Sequence, residues 1–408
     1  MADKLDIAPR SLENGDAGCA PKAPFAEKRP PCILCGKCLE VCPLFQATGR
    51  EELSPKAKFF LADSLEAPGE DLSEKAAARL AGLCLSCGRC EKACPRGLCA
   101  PHLVARLRAA HPGWRGHVWD AWLSRPGLLW PMARALSKLV PSSLPSAGHM
   151  AAMDPARAPA PFLRPVRFGQ AAKGLRVALF AGCMGAHARA DWAEKSRELL
   201  AGLGADLVPD PGFSCCGASL GHAGLPDSQT AARRANIKAW REAGRPLLAV
   251  FCATCRCGLR AYAGWAGDFE PGEAVRFRES VVNLPDLLAG TEFEILPDAP
   301  REIIYHRPCH GSGGDRDLRF LQGIFAERLR FFKENGPCCG FGGLMRLTAP
   351  GLSDRVAQRA MEAYAPAPGA HILTGCSGCA VQLFANAPPG VAAGHWLDAI
   401  CHGGKAHI

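Results

Sequence analysis

Short apolar runs recur along residues 176–401, and longer amphipathic stretches separate them. Four of these runs have the length and composition of buried β-strands: Arg176-Val-Ala-Leu-Phe-Ala-Gly, Pro246-Leu-Leu-Ala-Val-Phe, Glu302-Ile-Ile-Tyr and His371-Ile-Leu-Thr. A helix carrying Trp192, Leu199 and Leu200 follows the first run, and further helices are predicted around 231–240 and 352–364. Alternation of strands and helices predicts small parallel sheets with functional residues at the carboxyl ends of their strands.

The cysteines of this region repeat in the same order as the strands. Each half has a cysteine after its first strand, then a Cys-Cys-Gly loop, then a Cys-x-x-Cys pair after a later strand. The equivalent cysteines of the two halves are Cys183 and Cys309 after the first strand, Cys215 and Cys338 in the loop, and Cys252 and Cys376 at the start of the pair. These pairs are separated by 126, 123 and 124 positions along the chain. Residues 176–290 and 291–408 are therefore predicted to be duplicated α/β halves.

Two adjacent cysteines in extended backbone point to opposite faces, so they rarely bind one tetrahedral ion together. A tight turn can aim both at different irons of a cluster, and Gly217 and Gly340 directly after each pair allow such a turn. The candidate cofactor-binding thiols are Cys183, Cys215, Cys216, Cys252 and Cys255 in one half and Cys309, Cys338, Cys339, Cys376 and Cys379 in the other. Ten thiols exceed the need of one cubane, so this region is expected to hold one or two clusters.

The N-terminal region carries two copies of a cluster-binding run, from Cys32 to Pro43 and from Cys84 to Pro95. Each reads Cys-x-x-Cys-x-x-Cys-x-x-x-Cys-Pro, the bacterial ferredoxin spacing in which the fourth cysteine ligates the other cluster. The predicted ligands of one [4Fe–4S] cluster are Cys32, Cys35, Cys38 and Cys94. Those of the second are Cys42, Cys84, Cys87 and Cys90. Residues 31–110 are thus predicted to be a helical lobe with two clusters; a zinc site is the alternative, but zinc usually takes two separated Cys-x-x-Cys pairs.

The segments around this lobe are less specific. Residues 1–30 are predicted to be a disordered tail, in which Cys19 has no ligand-spaced neighbour. Two helices are predicted between the motifs, one at Lys56-Ala-Lys-Phe-Phe-Leu-Ala and one beginning near Leu72. Three further cysteines, Cys99, Cys257 and Cys401, fall outside the motifs and are not assigned as ligands.

Residues 111–175 concentrate four of the eight tryptophans, Trp114, Trp119, Trp122 and Trp130, among basic residues. Two interpretations stay open for this helical stretch. Its rings pack between the two parts of the protein, or they lie on a membrane interface or a partner subunit. Residues 141–170, rich in Pro, Ala and Ser, are predicted to be a linker.

Composition limits the function classes. The 408 residues carry a net charge of +9 without a dense basic block, so nucleic acid is not expected as a partner. The 22 cysteines come with no secretory signal pattern and no apolar run of membrane-spanning length. A cytoplasmic location with reduced, metal-holding thiols is expected, with or without peripheral contact at the inner face of the cell membrane. No flavin or nicotinamide fingerprint follows the loop at Gly340, and His306 and His310 are interpreted as structural.

With these motifs in this order, the chain resembles the Cys-Cys-Gly-domain family that contains the glycolate oxidase iron–sulfur subunit. That family includes the iron–sulfur subunits of lactate and glycerol-3-phosphate dehydrogenases and the catalytic subunits of heterodisulfide reductases. The length, the Ser54-Pro-Lys-Ala-Lys segment and His395-Trp396 favour the glycolate oxidase branch. Both cysteines of each final pair, Cys252/Cys255 and Cys376/Cys379, are present, which is similar to the complete set of heterodisulfide reductases.

The resemblance implies an iron–sulfur electron-transfer subunit of a 2-hydroxy-acid dehydrogenase. An FAD-containing subunit would oxidise glycolate or lactate, and this chain, without catalytic residues of its own, would deliver the electrons to a quinone or another carrier. The alternative is a reductase that cleaves a disulfide at a non-cubane [4Fe–4S] site. A third, a zinc-stapled scaffold, has no redox role.

Overall fold

The computed structural model describes residues 30–66, 82–137, 147–311, 315–333 and 336–402. The predicted tail with Cys19 and the predicted helix near Leu72 lie outside these residues. The mixed architecture expected from the sequence is confirmed: a helical N-terminal region precedes two α/β halves with small parallel sheets.

The N-terminal region contains helices and no strand within its described residues. Its helices are α1 (Lys37–Glu40), α2 (Pro43–Thr48), α3 (Pro55–Glu66), α4 (Arg89–Ala93) and α5 (Ala100–Ala110), with a 3₁₀ turn at Glu51–Leu53. Helix α3 confirms the first of the two helices predicted between the motifs. It buries Phe59 and Ala62 against Leu98 and Leu103, so the segment between the motifs packs on the residues that follow them.

The tryptophan-rich stretch forms two helices, α6 (Trp114–Ser124) and α7 (Pro126–Ser137), followed by a short helix α8 (Ala147–Ala152). Trp119 and Trp130 are buried in a cluster that includes Leu220 of the first half and Val381 of the second. The packing interpretation is therefore right for these two rings. Trp114, in contrast, is 66% exposed.

The first half has a four-stranded parallel sheet in the order β3-β2-β4-β5. Its strands are β2 (Arg176–Phe180), β3 (Asp206–Leu207), β4 (Leu247–Val250) and β5 (Val281–Asn283). Its helices are α9 (Gly182–His187), α10 (Ala190–Gly202), α11 (Ala218–His222), α12 (Pro226–Glu242), α13 (Ala253–Ala261), α14 (Glu273–Ser280) and α15 (Leu284–Leu287), with 3₁₀ turns at Tyr262–Gly264 and Ala266–Asp268.

The second half repeats this topology with its parallel sheet in the order β10-β9-β7-β8. Its strands are β7 (Ile303–His306), β8 (Leu329–Phe331), β9 (His371–Thr374) and β10 (Ala392–His395). Its helices are α16 (Arg316–Phe325), α17 (Leu344–Thr348), α18 (Pro350–Tyr364) and α19 (Ser377–Asn386), with 3₁₀ turns at Ala326–Arg328 and Trp396–Ala399.

A two-stranded antiparallel sheet joins the predicted linker to the start of the second half. Strand β1 (Leu163–Arg167) pairs with β6 (Glu292–Ile295), after a 3₁₀ turn at Pro155–Arg157. The sequence did not predict this strand because Pro165 cannot donate to a ladder and is tolerated only where a strand is an edge. Part of the predicted linker is therefore an ordered β-strand within the described residues.

The two halves share one core. Buried residues of both sheets, such as Leu248 and Ile372, belong to the same apolar cluster. A buried ionic group joins them as well: the indole Nε1 of Trp192 donates to Asp398 at 2.7 Å, and the guanidinium of Arg189 pairs with the same carboxylate. The halves are therefore held in a fixed arrangement, which determines how their cysteines meet.

Candidate functional site

The eight cysteines of the ferredoxin-type motifs line two small cavities. One cavity is lined by Cys32, Cys35, Cys38 and Cys94, and Cys90 also reaches it. The other is lined by Cys42, Cys84, Cys87 and Cys90. The fold thus brings together, across the two motifs, the same two sets of four thiols that the spacing predicts as ligand sets.

The backbone of both motifs has the same unusual conformation. Leu34 and Ser86, each between the first two cysteines of its motif, have positive φ angles of 57° and 54°. Residues other than glycine seldom adopt this region, and where they do the surrounding structure enforces it. Both motifs therefore curl their first thiols around a common centre.

One buried cation and two partly buried cations lie around the second cavity, and sequence reasoning missed all three as functional residues. The Nζ atom of Lys58 donates to the carbonyl of Leu53 at 2.5 Å and interacts with the thiols of Cys84 and Cys42. The guanidinium of Arg108 donates to the carbonyls of Gly82 and Cys84. The third cation, Arg89, donates to the carbonyl of Gly336 at 2.7 Å.

These cations give the second cavity a positive surrounding, which favours thiolates and a negatively charged occupant. Lysine is rarely fully buried unless it is paired, and Lys58 is only 2% exposed. The sequence gives only weak evidence that Lys58 is buried. It lies next to Phe59 on the predicted helix, and a lysine there is ordinarily expected to face solvent.

In the first half, all five predicted thiols form one continuous group. Cys183 follows strand β2, and its thiol interacts with that of Cys215 in the Cys-Cys-Gly loop. Cys216 in turn interacts with Cys255, and Cys255 with Cys252. The strand ends and the loop thus deliver five thiols to one buried location.

The Cys-Cys turn of this half is fixed by side chains behind it. The amide Nδ2 of Asn236 donates to the carbonyl of Cys215 at 2.9 Å, and the hydroxyl of Tyr262 donates to the carbonyl of Cys216 at 2.9 Å. Both carbonyls therefore have a hydrogen-bond donor from a buried side chain. The two thiols can then point into the site without leaving buried backbone oxygens unsatisfied.

In the second half, four of the five thiols are joined in the same way, and one diverges. Cys338, Cys339, Cys379 and Cys376 interact in series. Cys309 instead interacts with Cys87 of the N-terminal lobe as well as with Cys339. The second half therefore connects to the second N-terminal cavity, and Arg89 lies between them, with Cys338 and Cys87 as its neighbours.

The thiol groups of the two halves are joined at Cys252 and Cys376, whose side chains interact directly. Each of these cysteines precedes a helix, α13 or α19. The amide of Ser377 donates to Cys252 Sγ at 3.5 Å, and Thr254 Oγ1 lies 3.2 Å from Cys376 Sγ. Nine of the ten predicted thiols thus form one series that crosses the junction, and Cys309 lies beside it, near Cys339 and Cys87.

Protonation of these thiols depends on their neighbours. Hydrogen bonding from Cys183 lowers the pKa of Cys215 well below its usual range, and hydrogen bonding from Cys255 does the same to the pKa of Cys252. Burial raises the pKa of Cys87 to about 11 and that of Cys309 to about 12. Metal binding to such a set releases protons, because the thiolate is the ligand.

This donor set fits an iron–sulfur cofactor. Thiolates in groups of four or five, with few oxygen ligands near them, select soft metals and iron–sulfur clusters over magnesium or calcium. In the described part of the chain, Cys401 lies apart from these groups, near Lys195 and Arg164, and Cys99 interacts with Glu91.

The comparison with known domain families agrees with this geometry. Residues 30–98 match the 4Fe-4S dicluster domain, and residues 177–260 and 303–384 each match the cysteine-rich domain. The two cysteine-rich matches coincide with the two sheets that carry the thiol groups. The eight ferredoxin-type cysteines thus lie in a 4Fe-4S dicluster domain, and the ten candidate thiols of the two halves lie in cysteine-rich domains.

Curated relatives align with most of this chain. The glycolate oxidase iron-sulfur subunit of Escherichia coli (strain K12) is 25% identical, over 90% of this chain and 92% of its own. The probable glycolate oxidase iron-sulfur subunit of Bacillus subtilis (strain 168) is 23% identical, over 86% and 87%. A dihydromethanophenazine:CoB–CoM heterodisulfide reductase subunit of Methanosarcina mazei is 24% identical, over 85% of each chain.

Proposed function

Because the chain belongs to the iron–sulfur subunits that join a 4Fe-4S dicluster domain to two cysteine-rich domains, we propose that it is the electron-transfer subunit of a 2-hydroxy-acid dehydrogenase. In this role it accepts electrons from an FAD-containing subunit that oxidises glycolate or lactate, and delivers them to a quinone or another carrier. The observation that carries the proposal is the series of interacting thiols that leads from Cys87 in the N-terminal lobe through Cys309 into the second half and across the junction into the first.

Eight residues hold two [4Fe–4S] clusters in this proposal: Cys32, Cys35, Cys38 and Cys94 for one, and Cys42, Cys84, Cys87 and Cys90 for the other. The ten thiols of the two halves hold one or two more. When bound, these clusters supply one-electron redox centres at positions that protein atoms fix.

The protein's own residues set the surroundings of these centres. Lys58, Arg89 and Arg108 place positive charge around the second cavity, where it favours an added electron. Six of the ten thiols of the two halves are buried within the shared core, which keeps water away from them: Cys216, Cys252, Cys255, Cys339, Cys376 and Cys379. A dry, positively charged path suits electron transfer between fixed positions better than chemistry on a diffusing substrate.

The proposal includes a peripheral membrane contact through helices α6 and α7, at the cytoplasmic face. Trp114, Val118, Leu128 and Met132 on these helices are exposed apolar side chains, and the guanidinium of Arg115 lies 4.8 Å from the Trp114 ring centroid. Exposed tryptophan beside cationic side chains is typical of surfaces that bind anionic lipid. In the described ranges, no helix has the length and apolarity that crossing a bilayer requires.

The test of the membrane contact is cosedimentation with vesicles. Vesicles that contain anionic lipid are expected to retain the wild-type protein and to lose Trp114→Ala, while the helix content of the two proteins, measured by circular dichroism, stays equal. Equal sedimentation of both proteins, or none of either, would remove this part of the proposal.

The electron-transfer function is tested on the complex that copurifies with this chain under anaerobic conditions. Iron, acid-labile sulfide and flavin are counted per chain, and glycolate or lactate is added while cluster absorption is followed. The expected result is flavin in the complex and bleaching of the visible iron–sulfur absorption by one of these acids. A complex without flavin, or one that no 2-hydroxy acid reduces, contradicts the proposal.

A second candidate function is favoured by the direct interaction of Cys252 with Cys376. A disulfide-cleaving reductase needs thiolate-rich metal sites close together, and both halves here carry complete five-cysteine sets. Low-temperature electron paramagnetic resonance (EPR) after thiol addition under oxidising conditions tests it. A thiol-dependent paramagnetic species supports the reductase, and its absence supports the electron-transfer function. Zinc without iron or sulfide would exclude both.

A further inference from the structure

The two halves differ at one position beside their thiol groups. Strand β2 ends at Phe180, and strand β7 ends at His306; each lies three residues before the first cysteine of its half. Both side chains are 1% exposed. Because the two halves have the same topology, these positions are equivalent, and the imidazole of His306 takes the place of the phenyl ring of Phe180.

The imidazole of His306 is close to two thiols of the second half. Its ligand nitrogen and the sulfur atoms of Cys339 and Cys379 all lie within 4.8 Å of one another. These three side chains are therefore close enough to bind one metal ion together. Two of them belong to the ten predicted thiols, and His306 does not.

A second residue orients this histidine. The Nδ1 atom of His306 forms a hydrogen bond of 2.7 Å with the hydroxyl of Tyr364, at the end of helix α18. The other ring nitrogen, Nε2, remains for the thiol side, where His306 interacts with Cys339. Metal-ligating histidines usually have their second nitrogen fixed by such a partner, which sets the orientation of the ring. In the first half the corresponding helix α12 carries Trp240, whose indole nitrogen donates to the carbonyl of Pro246.

We propose that His306 Nε2 is a metal ligand in the second half, where it binds an iron together with Cys339 and Cys379. The site would then be a mixed nitrogen and sulfur site, while the first half offers sulfur alone. This inference rests on the proposed presence of an iron–sulfur centre in the second half, but not on which substrate or carrier the protein serves.

Mixed ligation gives the two halves different electronic properties. A neutral imidazole ligand adds no negative charge to the metal site, as a further thiolate would, and histidine ligation of iron–sulfur centres raises their reduction potential. Two halves with the same topology would therefore present centres of different potential, with the higher one in the half that adjoins Cys87 and Arg89.

The test uses the full-length protein, purified anaerobically with its clusters and labelled with nitrogen-15 histidine. Pulsed EPR of the reduced protein is expected to show a histidine nitrogen coupling. His306→Phe reproduces the residue that the first half already accommodates, and it is expected to remove this coupling and to lower the iron content. His306→Cys restores a ligand, so iron content is expected to recover while the nitrogen coupling stays absent. His402→Ala, at an exposed histidine, is the control and should change neither.

The outcomes separate the failure of this inference from that of the proposed function. A wild-type protein that contains iron but has no histidine coupling, or a coupling that survives in His306→Phe, overturns the ligand assignment alone. Zinc found at this site in place of iron, lost in His306→Phe, also overturns it as stated. Absence of iron and sulfide from the whole chain overturns the proposed function as well. Melting temperature measured by circular dichroism identifies any variant that fails to fold.

Discussion

The thiols of Cys252 and Cys376 meet across the junction of the two halves, and each half helps to position the cysteine of the other. The amide of Ala253 donates to the carbonyl of Gly375 at 2.8 Å, and Ser377 and Thr254 reach across to the opposite sulfur. Two loops that are 124 positions apart in the chain therefore form one structural unit.

The first prediction concerns this unit. Cys252→Ala and Cys376→Ala are expected to lower the iron content of the purified protein by similar amounts, because each sulfur lies within the interaction range of the other group. Iron and sulfide analysis measures this directly. Cys401→Ala, away from both groups, is the control and should leave the content unchanged. A loss of iron in only one of the two junction variants would show that the halves are loaded independently.

Lys58→Met is expected to lower the reduction potential of the second N-terminal cluster. Lys58 is buried beside Cys84 and Cys42, so its charge stabilises the electron that reduction adds. Loss of one nearby charge is expected to shift the midpoint by roughly 60 mV, which corresponds to about 1.4 kcal/mol for one electron. EPR-monitored redox titration measures the shift. Lys238→Met removes an exposed charge on helix α12, outside the N-terminal region, and should not shift this potential; an equal shift in both variants would contradict the prediction.

Gly340→Ala is expected to destabilise the second half. Gly340 has φ of 84°, and an added Cβ would lie 2.4 Å from the carbonyl oxygen of Ser353. Strain and overlap together are expected to cost about 2 kcal/mol or more and to lower the melting temperature by several degrees. Gly351→Ala, in helix α18 with open space around it, is the matched control and is expected to be neutral or slightly stabilising. Equal melting temperatures for both variants would contradict this account of the turn.

Stability at acidic pH is expected to depend on Glu273. Its carboxylate is fully buried, and the hydrogen bond from Arg241 lowers its pKa from 4.5 to about 2. A lowered pKa in the folded state gives stability that is complete above pH 4.5 and is lost as the pH falls towards 2. Glu273→Gln is expected to cost about 2–3 kcal/mol at pH 7.

The measurement for Glu273 is the difference in melting temperature between the wild type and Glu273→Gln as the pH is lowered. The difference should be constant from neutral pH to about pH 5 and should shrink below it. Comparing two proteins with the same clusters cancels the acid lability of those clusters. A difference that is already gone at pH 6, or that grows in acid, would show that another group controls it.

Much of the architecture was predictable, because the strands, the helices between them and the cysteine repeat each leave a local signal. The four predicted strands correspond to β2, β4, β7 and β9, the pairs at the centre of each sheet. The outer strands were missed. Strand β3 has two residues and β5 three, too short for any alternation to appear.

The candidate site was predictable as a list of thiols but not as an arrangement. Spacing groups cysteines that are near in sequence, whereas the approach of Cys87 to Cys309 and of Cys252 to Cys376 depends on how distant elements pack. The environment of Lys58 and the proximity of His306 to Cys339 depend on the same packing. A residue that acquires its functional surroundings only through tertiary packing has no sequence pattern by which it could be predicted.

The contact between Cys252 of the first half and Cys376 of the second also has a consequence for the order in which the protein is synthesised and folds. During synthesis the N-terminal parts of a chain emerge and fold first. The first half exposes its Cys252 thiol long before residues 376–379 have been synthesised, and its partner helix forms nearly at the end of the chain. If the junction thiols hold a cluster, as proposed, its insertion has to follow the synthesis of residues 376–379, and the thiols of a ribosome-bound first half then need protection until that point.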